Sequence, residues 1–430
     1  MKHDEHMNGQ GHPAAHSGGH QGGHPGGHPG GHPGGHPKGH PGGAKGDVGE
    51  GGHGGARTLE DGSPVCRLVA WEVTRSCNLA CKHCRAEAHL DPYPGELSTE
   101  EAKALIETFP DVGNPIIIFT GGEPLMRPDI FELVRHAKAQ GLRCVMAPNG
   151  TLVTAEIARE MKAAGIERCS LSVDGADAAT HDVFRGVPGA FEGVLNAVRH
   201  FKDAGIEFQI NTTVTRGNLE KFKDIFHLAE DLGASAWHIF LLVPTGRAAE
   251  LGEEIISADE YESVLNWFYD FRKTTTMQLK ATCAPHYHRI LRQRAKEEGI
   301  PVNFGTFGLD AVSRGCLGGV GFCFVSHTGQ VQPCGYLELD CGQVKETPFP
   351  EIWRRSQQFL NLRNPEVYTG KCGQCEYERV CGGCRARAAT MRSGYLDEEP
   401  LCSYTPKKSA KASGKQSGGA GTCGGGSCHG

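Results

Sequence analysis

The stretch "RLVAWEVTRSCNLACKHC", residues 67–84, joins an apolar run to three cysteines spaced C-x3-C-x2-C. Valine, tryptophan and threonine in near alternation predict a strand over 67–74, so Cys77, Cys81 and Cys84 stand just beyond a strand's end. Three thiolates are one short of the four that a closed zinc or iron–sulfur site requires. A structural zinc site would need a further ligand, and only His83 and His89 lie nearby. A cubane cluster bound through three of its irons would instead leave the fourth iron open for chemistry.

Outward from this stretch the chain alternates strand and helix signals. "STEEAKALIETF" reads as a helix with Ser98 as N-cap and Glu101 completing a capping box. "PIIIFT", "LRCVMA", "ERCSLSV", "IEFQINTTV" and "SAWHIFLLV" read as five further strands. Between them, "RPDIFELVRHAKAQG", "TAEIAREMKAAG", "AFEGVLNAVRHFKDAG" and "LEKFKDIFHLAEDLG" read as helices, the first closed by Gly141. Repeated βα units imply parallel strands and right-handed crossovers, and hence an α/β fold, a partial (β/α)6 TIM-like barrel. The polar segments "GGEP", "PNG", "DG", "TRGN" and "PTGR" follow strands, as the cysteine loop does. In parallel α/β folds the strands' carboxyl ends share one face, so these loops converge on one site. There, the glycines of "GGEP" would let backbone approach a ligand, and Glu123 would offer a carboxylate to an ammonium.

C-x3-C-x2-C after the first strand and GGEP after the second resemble the radical S-adenosylmethionine superfamily. The resemblance implies that Cys77, Cys81 and Cys84 hold a [4Fe–4S] cluster whose open iron binds S-adenosylmethionine, which the reduced cluster cleaves to a 5′-deoxyadenosyl radical. It places Gly121, Gly122 and Glu123 at the methionine end, with Asn149, Ser172, Asp174, Arg185 and Leu242 as further cosubstrate contacts. No catalytic residue is assigned beyond the cluster. His83 departs from the family pattern, standing where an aromatic residue often precedes the last cysteine.

A second cysteine field begins at Cys316 and offers eight thiolates, enough for two four-cysteine clusters or for zinc ribbons. Its order resembles the SPASM extension of radical S-adenosylmethionine enzymes. That resemblance implies one auxiliary [4Fe–4S] cluster on Cys316, Cys323, Cys334 and Cys384, and another on Cys372, Cys375, Cys381 and Cys402. The last C-x2-C is one residue shorter than the family's usual spacing, which leaves open whether one or two auxiliary clusters are present.

Composition bounds the rest. The 430 residues carry a net charge of −6 and 18 cysteines. No basic stretch interleaved with aromatics supports nucleic-acid binding. The longest apolar runs, Ile116–Phe119 and Ile239–Val243, fall far short of the ~20 residues of a membrane span. A cytoplasmic chain without membrane contact is expected, and there so many cysteines read as metal ligands and not as disulfides. Four regions are expected: a disordered His/Gly/Pro-rich tail over 1–62, the barrel over 63–275, the SPASM domain over 276–406, and a disordered Gly/Ser/Cys tail over 407–430. The HPGG repeats of the first tail would bind divalent metal, and Cys423 and Cys428 of the last would bind it loosely or not at all.

"RLVAWEVTRSCNLACKHCRAEA" and "KCGQCEYERVCGGCRARAAT" further resemble tetrapyrrole-modifying SPASM enzymes, in particular the haem b synthases of the sirohaem-dependent pathway. The resemblance implies oxidative decarboxylation of two propionates of Fe-coproporphyrin III to vinyls by a monomer served by a flavodoxin- or ferredoxin-type reductant. Arg75, Arg85, Arg247, Arg385 and Arg387 are the candidate partners of the propionates. The alternatives are another SPASM enzyme acting at a haem d1 or didecarboxysirohaem step, a peptide maturase, and a metal-storage protein built on the His and Cys stretches.

Overall fold

Ten strands hydrogen-bond into one sheet in the computed structural model, which describes residues 58–407. The HPGG tail up to residue 57, and the C-terminal tail from 408 with Cys423 and Cys428, lie outside the described residues. In chain order the strands are β1 (Leu68–Thr74), β2 (Ile116–Gly121), β3 (Arg143–Met146), β4 (Ile166–Ser172), β5 (Glu207–Val214), β6 (Ala236–Leu241), β7 (Gln278–Thr282), β8 (Phe322–Val325), β9 (Gln330–Gln332) and β10 (Gly342–Gln343). Their spatial order is β10-β9-β8-β1-β2-β3-β4-β5-β6-β7. From β8 through β7 every neighbouring pair is parallel.

Side-chain alternation divides the sheet's two faces. Val69, Trp71 and Val73 of β1, Ile117 and Phe119 of β2, and Trp237 and Ile239 of β6 bury against the surrounding helices. The helices answer with apolar stripes at helical spacing, such as Val194, Ala197, Val198 and Phe201 on Ala190–Ala204. Ser98 caps Thr99–Thr108 through the expected reciprocal box: its hydroxyl accepts from Glu101 N at 3.2 Å, and its own N–H donates to Glu101 Oε2 at 2.8 Å. The opposite face looks into the partial barrel, where Ser172, Asn211, His238 and Lys280 fall in one row across β4 to β7.

The sheet extends beyond the six strands read from sequence. β7 follows β6, and β8 pairs in parallel with the other side of β1, joining the cysteine-rich segment to the barrel's sheet. "QLKAT" and "FCFV" escape recognition because one is short and polar-rich and the other spans only four residues. A further helix, Ala178–Arg185, starts at Asp177, whose side chain accepts from Thr180 N. It delivers Arg185 to the loop face.

Candidate active site

The end of β2 is clamped onto the end of β1. Gly122 N donates to Thr74 O and Glu123 N to Ser76 O, each at 2.8 Å. A Cβ at Gly121 would collide with the Thr74 carbonyl, and one at Gly122 with the carbonyls of Arg75 and Ser76. The two glycines therefore admit the backbone leading into the cysteine loop. Glu123 is completely buried. Its Oε1 accepts from Leu125 N at 3.0 Å and its Oε2 from Asn149 N at 2.6 Å, yet burial pushes its pKa up to about 7. The carboxylate thus staples the loop after β2 to the loop after β3.

Cys77, Cys81 and Cys84 gather in one small cluster with Leu79, Ala86, Ala88 and Ala190. Leu79 N donates to Cys77 Sγ at 3.4 Å, the kind of amide-to-sulfur bond that favours a thiolate. Asn149 Nδ2 donates to Asn78 Oδ1 at 2.7 Å, fixing the loop from the β3 side. Arg185 reaches Cys81 Sγ at 3.7 Å with Nη1 and pairs with Asp174 through Nη2. Asp174 is anchored in turn by Thr213 N at 2.6 Å. Arg247 holds the loop's carbonyls, Cys81 O at 2.8 Å and Ala88 O at 2.9 Å. Burial pushes the Cys77 thiol up to about 12, helped by Glu123, Cys81 and Cys84, and raises Cys81 against the pull of Arg185. Thiols as desolvated as those of Cys77 and Cys81 ionise when a metal centre supplies the compensating charge. Among the described residues no three His, Cys, Asp or Glu are disposed to hold a single metal ion.

The remaining expected contacts are distributed around this loop. Ser172 ends β4 on the barrel's inner face. Leu242, just beyond β6, is buried, and its carbonyl accepts from Arg387 Nη1 at 3.0 Å, so it is tied to the second cysteine field. His83 stacks on Phe184, ring centroids 4.2 Å apart and planes within 5°. Its imidazole, pushed down to about 3 chiefly by burial, is neutral.

The second field divides into two groups. Cys372, Cys375, Cys381 and Cys402 line one cavity together with Arg289. Tyr377 N donates to Cys375 Sγ, and Glu399 N to Cys372 Sγ, each at 3.4 Å. In the other group, Cys334 faces Cys316 and Cys384, but the expected fourth member is absent. Cys323 lies on the opposite face of β8, in the core beside Cys66 and Cys341 and facing Arg363. Its place is taken by Cys283, whose thiol hydrogen-bonds that of Cys384 and packs with Cys334. Strand alternation explains the correction: Phe322 and Phe324 occupy the inner face, so Cys323 must point outward. Cys283 stands directly after β7 with φ of 53°, a left-handed backbone that a non-glycine residue adopts at some cost. Sequence reasoning missed it because β7 was not recognised, although a position after a strand was the available signal.

The shortened C-x2-C also has a structural reason. Gly382 and Gly383 both take positive φ, 78° and 59°, and turn the chain sharply enough to send Cys381 and Cys384 into different groups.

Of the five candidate arginines, three are engaged in structure. Arg387 is enclosed by Glu399, Leu242 O, Tyr261 Oη and Cys283 O. Arg385 binds the carbonyls of Tyr395 and Asp397 and the sulfur of Cys372, and Arg247 holds the first cysteine loop. Arg75 and Arg85 keep 28% and 17% of their side chains accessible. Both face Glu72, which also accepts from His327 Nδ1 at 2.8 Å. Burial works to raise the Glu72 pKa, but Arg85, His327 and Arg75 overcome it and hold the carboxyl at about 2. Arg85 lies over the Phe324 ring at 4.3 Å and Arg75 over Tyr93 at 5.8 Å.

Known proteins match this architecture. The Radical SAM superfamily matches residues 71–229, and SPASM, an iron-sulfur cluster-binding domain, matches residues 316–385. A protein of Nitratidesulfovibrio vulgaris named AdoMet-dependent heme synthase is 72% identical over 82% of this chain and 96% of its own length. The protein of that name from Methanosarcina barkeri is 53% identical over 80% of this chain and 97% of its own length. The Fe-coproporphyrin III synthase of the same organism is 31% identical over 81% of this chain and 90% of its own length. In fold, the chain resembles anSMEcpe solved with bound AdoMet and a peptide, with a TM-score of 0.58 at 19% identity over 78% of this chain and 93% of that one. The enzyme therefore uses S-adenosylmethionine, a [4Fe–4S] cluster and auxiliary iron–sulfur clusters. Cysteine loop, clamped GGEP turn and cysteine-rich extension thus come together in a chain that belongs to the radical S-adenosylmethionine superfamily, in the SPASM-bearing branch that includes the AdoMet-dependent heme synthases.

Proposed function

We propose that the enzyme converts two propionates of Fe-coproporphyrin III to vinyls, giving haem b. Each conversion removes one hydrogen atom from a propionate β-carbon, releases CO2 and leaves one electron. The observation that carries this reading is the 72% identity, over nearly its full length, to a protein named AdoMet-dependent heme synthase, against 31% to one named for Fe-coproporphyrin III synthesis.

In this reading Cys77, Cys81 and Cys84 hold the radical-site cluster. Cys283, Cys316, Cys334 and Cys384 hold one auxiliary cluster, and Cys372, Cys375, Cys381 and Cys402 the other. When bound, the first cluster supplies one-electron cleavage of S-adenosylmethionine, and the auxiliary pair supplies an outlet for the surplus electron. Gly121, Gly122, Glu123, Asn149, Ser172, Asp174, Arg185 and Leu242 shape the cosubstrate site. Arg185, held by Asp174, places a cation at the rim of the cysteine loop. Arg75 and Arg85 bind propionate carboxylates, since each presents a guanidinium over an aromatic ring and neither is saturated by backbone partners. A flavodoxin- or ferredoxin-type protein delivers the reducing electron to a cytoplasmic monomer.

The test is anaerobic incubation of reduced enzyme with S-adenosylmethionine and Fe-coproporphyrin III. Mass spectrometry should record two successive losses, each of CO2 and two hydrogens (the abstracted β-hydrogen and the carboxyl proton), with two 5′-deoxyadenosines per haem. Unchanged porphyrin mass with only slow deoxyadenosine release rejects the reading.

A further inference from the structure

His286 sits at the start of helix Tyr287–Glu297 and is only 1% exposed, yet neither ring nitrogen has a hydrogen-bond partner. The ring is fixed, meeting Tyr261 edge-on with centroids 4.7 Å apart and planes at 74°. It lines the cavity into which Cys372, Cys375, Cys381 and Cys402 converge, with Arg289 on the same wall. An imidazole carries at least one N–H in either protonation state, so the ring has one to donate.

A buried polar group without a partner costs roughly 1–3 kcal/mol, and folded proteins rarely tolerate two on one rigid ring. The partner must be something other than the chain. Four thiols enclose the same space, and the atoms they would hold there are iron and sulfur. Nearby protein donors already treat these sulfurs as acceptors, as Glu399 N and Arg385 Nη2 do at Cys372 Sγ. The imidazole of His286, on the lining of the same cavity and with both nitrogens unpartnered, extends this pattern.

We propose that His286 donates an N–H···S hydrogen bond to the iron–sulfur cluster held by Cys372, Cys375, Cys381 and Cys402 and thereby raises its reduction potential. Hydrogen bonds to cluster sulfurs stabilise the reduced, more negative state. His286 is thus a positioning residue for electron flow, making this cluster a better acceptor. The inference rests on the reading that these four cysteines hold a cluster.

The experiment is a redox titration followed by electron paramagnetic resonance on anaerobically purified full-length holoenzyme, with Cys375→Ala identifying the second auxiliary signal. His286→Leu should lower the reduced-to-oxidised ratio of that signal about tenfold at fixed potential, a shift of about 59 mV for a one-electron couple. The other cluster signals should not move, and His286→Gln, which keeps an N–H, should restore most of the shift. Wild-type enzyme carrying 15N-histidine should show nitrogen hyperfine coupling in the reduced second auxiliary signal, a readout that needs no variant. Unchanged potential in His286→Leu with full iron content overturns the hydrogen bond. Loss of about four irons in both His286 variants makes His286 a ligand and also overturns it. Iron content unaffected by Cys375→Ala fails the cluster reading itself, which separates that outcome from failure of the hydrogen bond.

Discussion

Arg387 Nε donates to Glu399 Oε1 at 2.9 Å with both side chains closed off from solvent. The pair stands where Cys384 N donates to Glu399 Oε2 and Arg387 Nη2 donates to Cys283 O. One ion pair therefore supports both ends of the thiol contact between Cys283 and Cys384. Removing one charge leaves the other buried and unpaired, at a cost of about 3–5 kcal/mol. Arg387→Met should lower the thermal midpoint sharply and lose auxiliary iron, whereas the double variant Arg387→Met/Glu399→Leu should recover part of the stability. Calorimetry and iron analysis of the purified variants check this.

The cysteine assignments separate cleanly. Cys283→Ala should lose about four irons per chain, the content of one cubane. Cys323→Ala should keep full iron and lose only about 1 kcal/mol of stability, as a mild core truncation does. Iron and acid-labile sulfide measurements on the two variants decide between them.

Glu72 gives the acid limb a testable shape. Its carboxyl is held at about 2, below the ordinary 4.5, by Arg85, His327 and Arg75. The stabilisation is therefore complete above pH 4.5 and is lost as pH falls toward 2. A displacement of this size corresponds to roughly 3 kcal/mol. Urea midpoints for wild type and Glu72→Gln should differ most above pH 5 and converge near pH 2.

Gly122→Ala forces a methyl group against two carbonyl oxygens of the cysteine loop. Overpacking of this kind costs about 1–3 kcal/mol, and here it should also reduce assembly of the radical-site cluster. Gly252→Ala is the control, because open space surrounds that Cβ position. Its stability and its spectrum should match wild type.

Arg85→Met should leave all clusters in place and raise the KM for the porphyrin by roughly 10- to 100-fold, the equivalent of one charged hydrogen bond, and should also lower stability, because it leaves the buried Glu72 to His327 and Arg75. Steady-state kinetics at saturating S-adenosylmethionine reads this directly. Arg387→Met, by contrast, should act through stability alone.

Much of this arrangement was legible before the fold was seen, and the reason is periodicity. Strands such as Ile116–Gly121 and helices such as Ala190–Ala204 carry clear alternation or stripes, and their boundaries match within a few residues. The site was legible wherever a motif followed such a strand, as with Cys77, Cys81 and Cys84. It was not legible at Cys283, because Gln278–Thr282 is only five residues long and its alternation rests on Leu279 and Ala281 alone. Nor could spacing reveal that Cys323 points away from Cys316 and Cys334, since a strand's facing is fixed by register with β1, and that register is a long-range property. The same holds for Glu72, whose partner His327 lies 255 residues later.

That pairing of β1 with β8 bears on biogenesis. Leu68 waits for Phe322, so through most of translation β1 offers an unpaired parallel edge. At roughly 5–20 residues per second, the ribosome adds the missing neighbour tens of seconds after the cysteine loop has emerged. Until then Glu72 lacks His327, and the loop beside it lacks one of its walls. A fragment ending at residue 275 would be left with a sticky edge and an unfinished nest for its first cluster.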